Sequence, residues 1–164
     1  MMKKILLLTT LALTLSFSVS AQVKIQAPHP DLEVKIQSCK YSNGSVYLGL
    51  LITNYGSTED ISFLGSQDTP QSIAAKAYDN EGFIYTNKTS TISIGVADGS
   101  QNARGEYKGY SIPTNQPTLV NVVITKVCSF ATKFERLDLP LKSSGSMKLS
   151  EKYPMRIYNL EWVK

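Results

Sequence analysis

"LEVKIQSCKYSNGSVYLGLLITN", residues 32–54, holds two apolar runs on either side of Asn43-Gly44. In the first, Leu32, Val34 and Ile36 alternate with Glu33, Lys35 and Gln37, the period-two pattern of a strand with one buried face. Asn-Gly between such runs signals a two-residue hairpin, because both residues tolerate the positive φ that a type I′ turn demands. The return run, Val46 to Asn54, is apolar on both faces: Val46, Leu48, Leu50 and Ile52 on one, Tyr47 and Leu51 with Thr53 on the other. A strand apolar on both sides belongs in the middle of a sheet. The stretch therefore predicts a β-hairpin whose second arm has neighbours on both edges.

The same punctuation continues along the chain. Apolar segments at Ile61–Leu64, Ile73–Tyr78, Phe83–Thr86, Thr91–Val96, Arg104–Ile112, Leu119–Cys128, Phe134–Leu141 and Met155–Val163 are separated by Gly, Asn, Asp and Pro. None has sustained helical spacing, so no crossover helix is available and parallel pairing is disfavoured. The expected fold is all-β: about nine short strands in an antiparallel β-sandwich with Greek-key or immunoglobulin-like wiring, with a small Greek-key barrel as the alternative. Arg104–Ile112 is polar, carries glycine and ends at Pro113, which predicts an exposed edge strand.

The chain opens MMKKILLLTTLALTLSFSVSAQ. Two lysines, an apolar stretch too short for a membrane span of about 20 residues, and small side chains ending Val19-Ser20-Ala21 predict a secretory signal peptide over residues 1–21, cut before Gln22. An extended leader (22–31) and a single domain (32–164) follow, placing the protein in the periplasm or outside the cell without membrane insertion. The formal charge of +4 drops to +2 once Lys3 and Lys4 leave. Basic residues are scattered along the sequence, and no nucleic-acid partner is expected.

Export bears on the two cysteines, Cys39 and Cys128, since disulfides persist outside the cytosol. Only one intramolecular pairing is open to them, and it would close a loop of about 90 residues, worth on the order of 4 kcal/mol. The reading favours this bridge over two buried thiols.

Catalytic chemistry finds little support. His29 is the only histidine and sits between prolines, which disfavours histidine-dependent triads and HExxH zinc sites. Gly109-Tyr110-Ser111-Ile112-Pro113 misses the final glycine of a nucleophile elbow, so Ser111 reads as a strand serine. Asp79-Asn80-Glu81-Gly82 invites a calcium reading, and Asp68 or Asp98 could complete a loose site. The flanks are strands rather than helices, and an EF-hand glutamate is missing, so the cluster reads as a hairpin turn. No catalytic residue, cofactor or metal ligand is expected. Nine tyrosines suit a binding surface, and Tyr107 and Tyr110, on opposite faces of their strand, are its candidates.

Three segments together, "LGLLITNYGSTEDISF" (49–63, with Leu48 preceding), "AKAYDNEGFIY" (75–85) and "RGEYKGYSIPTNQP" (104–117), resemble the telokin-like, immunoglobulin-like domains of secreted bacterial proteins of unknown function. The shared pattern is an apolar strand ending in Thr-Asn, an Asp-x-x-Gly hairpin followed by an aromatic, and a glycine-bearing strand ending in Ile-Pro. The resemblance implies an exported β-sandwich with an adhesion-like or binding role and no catalytic residues to carry over. The expectation is a non-enzymatic interaction module for an unknown protein or carbohydrate; the alternative is a secreted carbohydrate-binding or carbohydrate-hydrolysing accessory protein.

Overall fold

The computed structural model describes residues 22–56, 59–63, 74–86, 88–96, 109–143 and 154–164. The expected signal peptide, Asp68, Asp98, Tyr107, Arg104–Lys108 and the Tyr110 side chain lie outside this description. Among the described residues the chain forms twelve strands and no helix: β1 (Lys24–Gln26), β2 (Leu32–Ser42), β3 (Ser45–Asn54), β4 (Glu59–Phe63), β5 (Lys76–Asp79), β6 (Ile84–Tyr85), β7 (Ile92–Val96), β8 (Gly109–Ile112), β9 (Thr118–Ile124), β10 (Lys133–Leu139), β11 (Leu141–Ser143) and β12 (Met155–Glu161). They make three antiparallel sheets, in the orders β1-β12-β10-β5-β6, β2-β3-β9-β7 and β11-β4-β8. No helix here is long and apolar enough to cross a membrane.

The opening hairpin forms as its sequence dictates. Asn43 and Gly44 take φ of 49° and 72°, and the arms pair from Ser42↔Ser45 back to Leu32↔Asn54. β3 has β2 on one edge and β9 on the other, and Val46, Leu48, Leu50 and Ile52 are buried. The alternation in β2 does not run straight through. The register slips between Ile36 and Ser38, so Cys39 and Tyr41, rather than even-numbered residues, pack against the core beyond that point. A bulge of this kind places two residues opposite one. Gly49 accommodates it, since a Cβ there would lie 2.8 Å from Ser38 Oγ.

One core cluster draws side chains from all three sheets, among them Leu48 and Ile52 from β3, Ile61 from β4, Ile112 from β8, Val122 from β9, Leu137 from β10 and Ile157 from β12. Two boundaries differ from the sequence reading. The leader is not separate from the domain, because Lys24–Gln26 pairs with β12, Ile25 opposite Ile157. The expected strand Phe134–Leu141 is divided at Pro140, which has no N–H to continue a ladder; β10 joins the five-stranded sheet and β11 the three-stranded one. β8 pairs only with β4 and so ends its sheet among the described residues, although its last side chain, Ile112, is fully buried.

The expected Cys39–Cys128 bridge does not form: both thiols are free and half-buried. The segments that carry them meet an aromatic row. Tyr41 stacks on Trp162 with centroids 6.3 Å apart, Trp162 meets Phe134 edge-on at 4.7 Å, and Phe134 meets Tyr85 at 5.8 Å. Cys39 lies two residues from Tyr41 at one end of the row, whereas Cys128 bonds through its backbone N–H to the Tyr85 hydroxyl at the other. The size of the loop a bridge would close says nothing about whether the two Cα atoms come within its short reach.

Candidate functional site

The β5–β6 turn is built around Asp79, which is buried. Its Oδ1 accepts the backbone N–H groups of Glu81 and Phe83, both at 2.9 Å, and its Oδ2 accepts the Tyr85 hydroxyl at 2.5 Å. Asp79 N–H donates to the Phe83 carbonyl, Gly82 N–H donates to the Asp79 carbonyl, and Gly82 sits at φ 84°. An aspartate that satisfies its own turn in this way has both carboxylate oxygens engaged. Burial pushes the Tyr85 phenol well above its usual range, and the bond to Asp79 adds to the push. Among the described residues no group of three or more His, Cys, Asp or Glu could hold a metal ion.

Asn80 fastens this turn to the β9–β10 loop. Its Oδ1 accepts Thr132 N–H at 3.0 Å and Lys133 N–H at 3.2 Å, while its own N–H donates to the Lys133 carbonyl. The loop is tied in turn to the first hairpin, since Val127 N–H donates to the Gly44 carbonyl at 2.8 Å, and internally by Ala131 N–H to the Cys128 carbonyl. The C-terminal residues close the same end of the molecule. Trp162 N–H donates to the Thr132 carbonyl, Val163 N–H donates to the Cys39 carbonyl, and Lys164 Nζ donates to the Ser129 carbonyl at 2.8 Å.

This hydrogen-bonded base carries apolar side chains in the open. Phe130 is 79% exposed, Val163 72% and Phe83 54%, and Ile84 beside Phe83 is exposed as well. They come from three segments that the bonds above hold at one end of the protein. Lys126 and Lys164 are exposed on the same segments, and Lys133, paired with Glu135 at 3.4 Å, adds a third cation. Rigid loops presenting large apolar groups beside cations can anchor a partner surface, because the ordering cost of the loop is already met in the free protein.

The residues singled out from sequence are dispersed. Tyr110 lies on β8, opposite Ile61 on β4. Ser111, on the same strand as Tyr110, stands opposite Asp60 of β4. His29 Nδ1 accepts the backbone N–H of Asp31 and stands 3.7 Å from its carboxylate, a turn-forming role ahead of β2. Of the other tyrosines, Tyr47 and Tyr55 are exposed while Tyr85 is buried. Of the phenylalanines at this end, Phe83 reads from sequence only as the start of the apolar segment Phe83–Thr86, and Phe130 is not singled out, although Ser129-Phe130-Ala131-Thr132 sets a lone large apolar residue among small and polar neighbours. Compared with known protein families, with curated proteins and with solved structures, the chain matches none of them.

Proposed function

We propose that the protein is an exported, single-domain, immunoglobulin-like β-sandwich acting as a non-enzymatic interaction module, and that the end carrying Phe83, Phe130 and Val163 is its contact surface. The observation behind this reading is the exposure of Phe130 on a loop whose backbone is tied to the β5–β6 turn, the first hairpin and the C-terminal residues. Large aromatics held rigidly in solvent are the kind of group that carries most of the energy of a protein interface. The immunoglobulin-like assignment rests on the sequence resemblance, supported by the wiring of β2-β3-β9-β7, in which the chain leaves the sheet after β3 and returns to it at β7 and β9. Export rests on the lysine-led apolar N-terminus, and the site of action is then the periplasm or the exterior.

The partner this surface suits is a protein with an apolar cavity edged by acidic residues, complementary to the exposed lysines. The test compares recovery of partner from the cell envelope by the wild type and by a Phe83→Asp/Phe130→Asp double variant with the same melting temperature. The reading expects a partner recovered by the first and lost by the second. Equal recovery by both would remove the loop end from consideration, and a mature N-terminus other than Gln22 would overturn the predicted cleavage.

A further inference from the structure

The outer face of the five-stranded sheet assembles charges that lie far apart in sequence. On β10, Phe134, Leu137 and Leu139 are buried in the core, while Arg136 and Asp138 point the other way. Register carries the same parity across the sheet. Lys24 stands opposite Tyr158, Tyr158 opposite Arg136, Arg136 opposite Tyr78, and Tyr78 opposite Ile84. In the next row Gln26 stands opposite Arg156, Arg156 opposite Asp138, and Asp138 opposite Lys76. In these two rows four successive strands, β1, β12, β10 and β5, thus each place one cation, around the Asp138 carboxylate.

The centre is more than scattered surface charge. Asp138 is 8% exposed. Arg136 Nε lies 3.3 Å from its Oδ2, and Arg156 Nε lies 3.4 Å from its Oδ1. None of these contacts has hydrogen-bond geometry: Arg136 Nε, Arg156 Nε and Asp138 Oδ1 are buried without a hydrogen-bond partner. A salt bridge serving stability alone gains most from a bidentate fork onto one carboxylate. Here one carboxylate is shared by two guanidinium groups, and among the described residues neither finds another acceptor. The Arg136 guanidinium is also stacked on Tyr78, 4.1 Å from the ring centroid, which fixes its plane before any ligand arrives. Both arginine side chains remain partly open, 40% and 32% exposed.

We propose that this face is an oxyanion-binding site, in which Arg136 and Arg156 take a carboxylate or phosphate group of a ligand while Asp138 and Tyr78 hold the two guanidinium groups in place. Planar guanidinium pairs match the two oxygens of such groups, and Lys24 and Lys76 supply further attraction on either side. Its charged groups are none of the loop-end residues, and the site stands or falls independently of that surface.

The test is an NMR titration of the purified protein at constant ionic strength, following arginine Nε–Hε and backbone amide signals, with inorganic phosphate, galacturonate and neutral galactose as probes. The expected result is saturable movement of the Arg136 and Arg156 signals with one or both anions and none with galactose; which anion acts identifies the source of the group. Arg136→Gln and Arg156→Gln are each expected to weaken binding by roughly tenfold or more, the loss of a charge-assisted hydrogen bond, with signals at the Phe130 end unchanged as a control for folding. Arg136→Lys keeps the charge and loses the planar fork, so it too is expected to bind weakly. The proposal is overturned if neither anion gives saturation, if the movement survives in the glutamine variants, or if the lysine variant binds as well as the wild type.

Discussion

The Tyr85 hydroxyl donates to Asp79 Oδ2 at 2.5 Å and accepts the Cys128 backbone N–H at 3.0 Å, so one phenol joins the β5–β6 turn to the β9–β10 loop. Tyr85→Phe leaves a buried carboxylate oxygen and a backbone N–H without this partner. The expected loss is about 1–3 kcal/mol for groups stranded in this way, read as a lower urea midpoint at unchanged slope. Because the Asp79 oxygens are engaged within the protein, added calcium should leave the melting temperature of the wild type where it was. A calcium-dependent rise would mean that an ion binds the native state, and would restore the cation reading of the turn.

The free thiols make a second prediction. Burial pushes the Cys39 thiol from 9.0 up to about 12, so at neutral pH it holds almost none of the thiolate that alkylating reagents attack. Unfolded, unreduced protein should take up two alkyl groups, and the native protein should leave Cys39 unmodified far longer than unfolded protein does. The sign of the linked stability follows. A thiol whose native value is raised contributes stability that is fully present below pH 9.0 and lost as the pH climbs toward about 12. A mass with no added alkyl groups would bring back the bridge.

Much of the fold can be read from local pattern, because Asn43-Gly44 and the alternation around it report on neighbours only a few residues away. What escaped reading depends on pairing between distant segments. Lys24-Ile25-Gln26 has one apolar residue and becomes a strand only because Ile25 finds Ile157. Gln37 and Glu135 sit at register slips that reverse which side chains face inward, and periodicity counted straight through them assigns the wrong face. Lys24, Lys76, Arg136 and Arg156 look scattered along the chain, yet the ladder gathers them on one surface. The cysteine count permits a bridge but carries no distance, and so it could not exclude two free thiols.

Two phenylalanines four residues apart should separate stability from recognition. Phe134 is fully buried between Tyr85 and Trp162, and Phe134→Ala is expected to cost about 3–5 kcal/mol through lost contacts and the cavity left behind. Phe130 is 79% exposed, and Phe130→Ala should change stability by no more than about 0.5 kcal/mol while weakening partner recovery. Denaturant titration of both variants checks the first half. A large loss from Phe130→Ala would make that side chain part of the packing rather than of a contact surface.

Asp138 provides the pH test of the sheet face. Burial raises its carboxyl above the ordinary 3.8, and the pull of Arg136, Arg156 and Lys76 in the other direction is not enough to cancel it. A carboxyl raised in the native state binds its proton more tightly folded than unfolded, so its stabilising contribution is complete below pH 3.8 and is lost as the pH rises through the raised value. Asp138→Asn removes this titration while keeping the shape of the side chain. Urea midpoints of wild type and variant, compared across roughly pH 3 to 6 where carboxyl groups titrate, should therefore move in favour of the variant as the pH increases. Movement toward the wild type would mean that the arginines lower the carboxyl instead, and that the pair of guanidinium groups is already neutralised by Asp138 rather than left open to an incoming anion.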